Sequence, residues 1–232
     1  MVIMKKRIFK KAGFILALVL VMAASTATAQ NRHFRMSLLK PDKDSAFVCD
    51  VTAKYENGVF EKYTGCTIFP YTRTKAAKVR VSIDGDEIPR FLQFLEAVKT
   101  KFGEWDSIAK ANRVRAFQKR MPVELKSKGG IWSLYYVEGK PPRSSFDMDR
   151  QWVVLIPFFS VDKDGISFVE WNTGKLEYYS RGGLHGLGND VEVERCEGGT
   201  FKFKSPEEIQ SLIDCFAAST GNSQKNTSDL FK

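Results

Sequence analysis

Two ten-residue stretches of this chain share one pattern, and that repeat constrains the fold more than any other feature. Residues 55–64 and 171–180 both read aromatic-x-x-Gly-x-apolar-Glu-x-Tyr-hydroxyl, without a gap and 116 positions apart. Asn57-Gly58, in the first stretch, is a strong signal for a two-residue β-hairpin turn. The repeat therefore predicts one hairpin in each half of the chain, although unrelated hairpins can also share such a pattern by chance.

A strand followed by a capped helix comes after each predicted hairpin. Residues 79–83 and 200–204 have the composition of strands, and each is followed by a Ser/Asp-x-x-Glu sequence that begins at Asp84 or Ser205. This sequence is the capping-box pattern of a helix start, and Pro206 suits the first helical position because its missing N–H costs nothing there. The same elements in the same order predict an internal duplication.

The expected fold is therefore α+β, with two similar units of antiparallel strands, each followed by a helix, and the sheet packed against the helices. The expected boundaries are a signal peptide at 1–29, a first unit at 30–130, a second unit at 131–220 and a disordered tail at 221–232. Apolar residues from Ile88 onward recur every three or four positions, which predicts a long amphipathic helix that Gly103 ends or kinks. Further strands are predicted at 131–137 and 151–160.

The first 29 residues have the three parts of a secretory signal peptide. Five Lys and Arg residues precede an apolar stretch at 12–24, and Ala27-Thr28-Ala29 is a small-x-small cleavage box. The apolar stretch is shorter than the about 20 residues that cross a bilayer. We therefore expect a soluble chain, cleaved near Ala29, exported to the periplasm or the medium, and without a transmembrane segment in its mature part.

Removal of the leader changes the charge of the chain. Lys plus Arg falls from 36 by five to 31 against 27 Asp plus Glu, so the net charge falls from +9 to +4. A nucleic-acid-binding domain carries a concentrated basic footprint, which an excess of this size does not supply. The composition therefore argues against a nucleic-acid partner.

All four cysteines lie in the part of the chain that would be exported, where disulfides form. If Asn57-Gly58 is the hairpin turn, opposite residues have numbers that sum to 115, and Cys49 faces Cys66 at a non-hydrogen-bonded position within disulfide reach. Cys196 and Cys215 then form the second predicted pair. The alternative for Cys49 and Cys66 is two buried free thiols.

Few residues support a catalytic or metal site. His185, in the glycine-rich stretch 182–188, is the only histidine in the interior of the chain, and it is the candidate for a catalytic base. The stretch from Ser160 to Gly165 resembles the first half of a calcium loop, but the twelfth position is Trp171 instead of the required Glu. An ordinary tight turn is the preferred interpretation, and no metal or cofactor is expected.

A basic run is the candidate ligand-binding surface. It contains seven cations within nineteen residues, opposed only by Glu124: Lys110, Arg113, Arg115, Lys119, Arg120, Lys126 and Lys128. Such a run could bind a polyanion, namely an acidic glycan, lipopolysaccharide phosphates or a membrane surface, or it could bind a protein. The alternative is a solvated helix end and loop.

The leading functional hypothesis is an exported, non-catalytic binding module for a protein or an anionic glycan. The first alternative is a small periplasmic or secreted hydrolase that uses the His185 loop. The second alternative is a structural or inhibitory subunit of an envelope complex.

Overall fold

The computed structural model describes residues 29–38, 47–70, 77–126, 129–137, 150–174, 176–181, 191–196 and 198–220. The strands of the first half are β1 (Gln30–Leu38), β2 (Phe47–Glu56), β3 (Val59–Phe69), β4 (Ala77–Asp84), β5 (Phe117–Arg120) and β6 (Leu125–Lys126). Those of the second half are β7 (Ile131–Val137), β8 (Arg150–Trp152), β9 (Val154–Leu155), β10 (Phe158–Val161), β11 (Ser167–Asn172), β12 (Leu176–Arg181), β13 (Val191–Cys196) and β14 (Thr200–Phe203). The helices are α1 (Ile88–Ala111), preceded by a 3-10 turn (Gly85–Glu87), and α2 (Pro206–Ala218).

The chain has a mixed α+β fold whose paired strands are antiparallel. One sheet has six strands in the order β1-β2-β3-β4-β7-β8, and a second has four in the order β14-β11-β10-β5. Two further strand pairs are β12-β13 and β6-β9. Because β4 pairs with β7 and β10 pairs with β5, strands from both sides of the expected boundary at 130/131 share sheets. This arrangement does not confirm the predicted duplication.

Only the first copy of the ten-residue repeat forms a hairpin. β2 and β3 pair across Asn57 and Gly58, both of which have positive φ, as the Asn-Gly signal predicts. In the second copy β11 pairs with β10 and β14, whereas β12 pairs with β13 in another sheet. The prediction of a hairpin at 171–180 is therefore wrong, because β14 occupies the edge of β11 that β12 would need.

One continuous core joins the two larger sheets to the helices. Phe94 of α1 meets Trp171 with ring centroids 5.5 Å apart, and Phe102 meets Phe159 at 6.0 Å. Phe91 lies 6.1 Å from Phe216 of α2, so α1 links the four-stranded sheet to the second helix. The long amphipathic helix is confirmed, but it continues through Gly103 without ending there.

The helix starts differ from the predicted capping boxes. At the first, the Glu87 carboxylate pairs with Arg90 at 2.6 Å instead of the backbone, and Asp84 makes no side-chain cap bond. At the second, Glu208 accepts a hydrogen bond from the Lys204 N–H at 2.7 Å, one residue before the predicted partner. The prediction of Pro206 in the first turn of α2 is confirmed.

The predicted strand at 151–160 is three short strands in three sheets, whereas the strand at 131–137 is confirmed as β7. Pro157 lies in the gap between β9 and β10, and it has no N–H to donate to a ladder. Its carbonyl instead accepts the Met121 N–H at 2.9 Å. The turn after β10 is as predicted: Asp162 Oδ1 accepts the backbone N–H groups of Asp164 and Ile166 at 2.9 and 2.8 Å.

The register of the first hairpin corrects the disulfide prediction. The residue numbers of the pair Glu56 and Val59 sum to 115, as expected. Two irregularities farther along the ladder then shift the pairing by two residues, so that Cys49 faces Ile68 and Val51 faces Cys66. The Cys49 and Cys66 sulfurs lie 3.6 Å apart, which is too long for a disulfide bond. Both thiols are free, and so is the buried thiol of Cys215. The side chain of Cys196, its predicted partner, lies outside the described part of the structure, so that pairing stays a prediction.

Candidate functional site: a groove beside strand β5

An open groove runs between the last turns of α1 and the strand β5, and we call it the β5 groove. One part, of about 600 Å³, is lined by Trp105 and by residues 119–124. The adjoining part, of about 320 Å³, is lined by apolar side chains together with Lys119: Trp105, Ile108, Ala109, Val114, Phe117 and Phe159. Trp105 and Lys119 belong to both parts, so the two form one continuous surface.

The floor of the β5 groove is aromatic and fixed by packing. The Trp105 ring meets the buried Phe159 ring edge-to-face at a centroid distance of 5.7 Å. Beside it, Ile108 is 58% exposed and Phe117 is 42% exposed, which is unusual for apolar side chains of this size in one small area. The groove therefore offers apolar surface that a ligand can bury.

Strand β5 forms an open edge of the four-stranded sheet. It pairs with β10 on one side, and in the described part of the chain no strand pairs with its other side. All four of its side chains are exposed. Unpaired backbone N–H and C=O groups along such an edge are a template for a further strand.

The structure brings only part of the predicted basic run into the groove. Lys119 and Arg120 line it, and the Lys119 ammonium lies 5.3 Å from the centroid of the Trp105 ring. The Glu124 carboxylate accepts hydrogen bonds from Lys126 at 2.9 Å and from Arg120 at 2.6 Å, and it therefore links these two side chains. The hydrogen bond from Lys126, with the nearby charge of Arg120, lowers the pKa of Glu124 below its usual range.

The remaining predicted cations lie outside the groove or outside the described residues. Lys110 pairs with Asp106 at 2.6 Å in the last turns of α1. Arg115 donates to the Lys163 carbonyl at 3.0 Å, near the turn after β10. Arg113 is exposed just beyond α1, and Lys128 lies outside the described residues.

Sequence reasoning missed the apolar half of this site. The apolar stripe predicted from Ile88 onward includes Trp105 and Ile108, yet Ile108 is mostly exposed and Trp105 is half-buried. The available signal was Phe117, an aromatic residue between the cations Arg115 and Lys119. An aromatic side chain within a basic run is typical of a binding surface more than of a solvated loop.

The other candidate residues do not form a second site among the described ones. His185 and its glycine-rich loop lie outside the described residues, as does the tail at 221–232. Within the described ranges, no group of three His, Cys, Asp or Glu side chains is arranged to hold a metal ion. The Asp162 carboxylate accepts the backbone N–H groups of its own turn, from Asp164 and Ile166.

No helix in the part of the chain that the structure describes is both long and apolar enough to cross a membrane. No family model, curated protein or solved structure matches this chain.

Proposed function

We propose that the chain is an exported, non-catalytic binding module whose ligand is an extended, acidic segment of another protein, held in the β5 groove. The observation that carries this proposal is the combination of an open strand edge with an aromatic floor and two cations. An added strand would gain main-chain hydrogen bonds along β5, and its alternate side chains would reach the groove. Such a segment needs apolar residues for the floor and carboxylates for Lys119 and Arg120.

Charge favours a foreign acidic partner over a second copy of this chain. Two β5 edges placed together would bring Lys119 and Arg120 of both copies into one small area, and like charges across an interface oppose association. Basic residues on an edge strand commonly prevent self-association. The same residues attract a segment of opposite charge.

The apolar floor favours a peptide over an anionic glycan. A glycan would engage the cations, but it has no aliphatic side chain to cover Ile108 and Phe117 and no peptide backbone to pair with β5. Burial of these two exposed side chains contributes affinity in proportion to the apolar area removed from water. A peptide uses every feature of the groove.

The proposed site of action is outside the cytoplasm. The support is the leader at 1–29, with its basic start, apolar stretch and small-x-small box. N-terminal sequencing of the protein recovered from expressing cells would test this, and a mature chain that begins near Gln30 is the expected result. A chain that retains Met1 to Ala29 would contradict export by this route.

We also propose that the chain arose by internal duplication. The aligned aromatics Tyr55 and Trp171 are both buried, at 4% and 1% exposure. The aligned glycines Gly58 and Gly174 both have positive φ, at 80° and 88°. These shared local features support a common origin of two segments that now pair differently.

Fluorescence anisotropy with a short labelled peptide tests the ligand class. The probe alternates Glu or Asp with Phe and Leu, and its matched control carries N-methyl groups that prevent strand pairing. We expect the purified chain to bind the probe at least about tenfold more tightly than the control, and more weakly as salt rises. Equal binding of both peptides would contradict strand addition.

Two variants separate the groove from the general surface. Lys119→Glu combined with Arg120→Glu is expected to weaken probe binding by about tenfold or more, because it reverses both groove charges. Lys62→Glu combined with Lys163→Glu makes the same change in net charge at exposed positions elsewhere and should bind normally. If a heparin-like polymer displaces the probe and also binds the groove variant less, the glycan becomes the better ligand.

A further inference from the structure

The strand β13 has an open edge of its own, in the two-stranded pair β12-β13. It pairs with β12 over all six of its residues, and in the described part of the chain no strand pairs with its other side. The pair meets the six-stranded sheet through β12, which lies against β7. Because a two-stranded ribbon is only marginally stable by itself, β13 gains stability from a further strand.

The sequence of this second edge is acidic and alternating. Residues 190–194 read Asp-Val-Glu-Val-Glu, so that three carboxylates precede the single cation Arg195. Successive residues of a strand lie on opposite faces, which places positions 191 and 193 on one face and positions 192 and 194 on the other. This is the alternation of apolar and acidic residues that the β5 groove requires of its ligand.

Strand β5 has the complementary alternation. Phe117 and Lys119 lie on its groove face, where the Lys119 ammonium is 5.3 Å from the centroid of the Trp105 ring. Gln118 and Arg120 alternate with them. Because an added strand continues both faces of a sheet, a strand with the sequence of β13 can place its valines against Phe117 and its glutamates beside Arg120.

We propose that β13 of one copy of the chain pairs with β5 of another copy, so that their sheets join edge to edge. The proposal rests on the proposed function, because it requires β5 to accept a strand. The charge argument against a second copy applies to two β5 edges, whereas β13 and β5 carry opposite charges that favour association. Each copy has both edges, so the contact is head-to-tail and either continues or closes into a ring.

The contact is weak because it is short. β5 has four residues, which limits both the main-chain hydrogen bonds and the area that a neighbouring β13 can bury. Interfaces of small area are typical of transient association. Self-association therefore fills the β5 groove at high concentrations of the chain, and an acidic segment that binds more tightly displaces the neighbouring copy.

Sedimentation velocity of the purified chain, as recovered from expressing cells, tests the proposal. Between about 10 μM and about 1 mM at low salt, we expect the weight-average mass to rise on the order of twofold. High salt, or an excess of the acidic probe peptide, should return the mass to that of the monomer. A monomer mass over the whole concentration range would overturn the proposal.

Charge reversal at each edge identifies the two surfaces. Glu192→Lys with Glu194→Lys, and Lys119→Glu with Arg120→Glu, are each expected to abolish the rise in mass. A chain with all four substitutions should associate again, because both edges have reversed their charge. Persistent association in either double variant would overturn the proposal, and so would a fourfold variant that keeps the circular dichroism spectrum of the wild type but stays monomeric.

A matched control and the probe peptide separate this proposal from the proposed function. Glu56→Lys with Glu96→Lys makes the same change in net charge as the β13 variant, at exposed positions elsewhere, and should associate like the wild type. A chain that binds the probe but stays monomeric would contradict self-association and leave the proposed function standing. A chain that associates through both edges but does not bind the probe would support self-association and contradict the foreign ligand.

Discussion

The two copies of the ten-residue repeat adopt similar local conformations but make different strand pairings. In both copies, a buried aromatic residue lies three positions before a glycine that has a positive φ. After Gly58 the chain folds back on β2, whereas after Gly174 it leaves the four-stranded sheet and enters another. Local sequence therefore sets the bend in each copy, and the neighbouring strands decide where the chain goes next.

The bend in the second copy is held by the segment before β14. Asn172 Oδ1 accepts the Gly174 N–H at 2.7 Å, and the Thr173 N–H donates to the Gly199 carbonyl at 2.9 Å. Trp171 also stacks on Phe201 with ring centroids 5.4 Å apart. These contacts attach β14 to the edge of β11 and leave no room there for β12.

The largest expected loss of stability comes from one methyl group added at Gly198, next to the second bend. A Cβ at Gly198 would lie 2.0 Å from the Gly174 carbonyl oxygen, and Gly198 has a φ of +84°. Gly198→Ala should therefore lower the free energy of unfolding by about 3 kcal/mol or more. Denaturant titration measures the loss.

Gly58→Ala is the matched control for that substitution. Gly58 has a φ of +80°, but a Cβ there has no heavy atom within 4 Å. We expect a loss of only about 1 kcal/mol, from backbone conformation alone. Equal losses in the two variants would contradict the close approach at the second bend.

A smaller effect is expected from the hydroxyl that closes the second bend. Thr173 is 6% exposed, and its Oγ1 accepts the Gly199 N–H at 2.9 Å. Thr173→Val removes the acceptor and leaves a buried N–H without its partner, at a cost of about 2 kcal/mol. Thr67→Val, at a partly buried strand position of the first hairpin, should cost less in the same denaturant titration.

The smallest effect is expected at the irregularity of the first hairpin. The Lys54 ammonium pairs with Glu61 at 2.5 Å, and this hydrogen bond raises the pKa of Lys54. The pair therefore stabilises the folded chain below the ordinary lysine pKa and loses that contribution as the pH rises through the raised value. Melting temperatures of the wild type and Glu61→Gln should differ slightly at neutral pH and converge in strong alkali, and a difference that grows with pH would contradict the pairing.

Sequence patterns predicted the elements better than their partners. Asn57-Gly58 predicts the first turn because it acts through φ, which is a local property. The predicted register beyond that turn was wrong because residues 61 and 64 of β3 have no partner in β2. Nothing in the alternation of side chains indicates these two extra residues. The prediction of a second hairpin was wrong because β14, a strand about thirty residues farther along the chain, pairs with the edge of β11 that β12 would need.

The candidate site was half predictable for a similar reason. The basic residues are visible as a run, and Lys119 and Arg120 do line the groove. Ile108 was misassigned because it follows Trp105 by three positions, a spacing that also occurs along a buried stripe. On a helix with 3.6 residues per turn it lies about 100° from Phe91, whereas the buried Ala109 lies on the same face as Phe91.

Hydrogen exchange of the chain with and without the acidic probe peptide tests the central claim most directly. The four-stranded sheet ends at β5, and the proposed ligand strand lies along that edge. We expect slower amide exchange at residues 117–120 with the probe and no such change with the N-methylated control. Unchanged exchange at 117–120 with the probe bound, or slowing confined to another sheet, would contradict it.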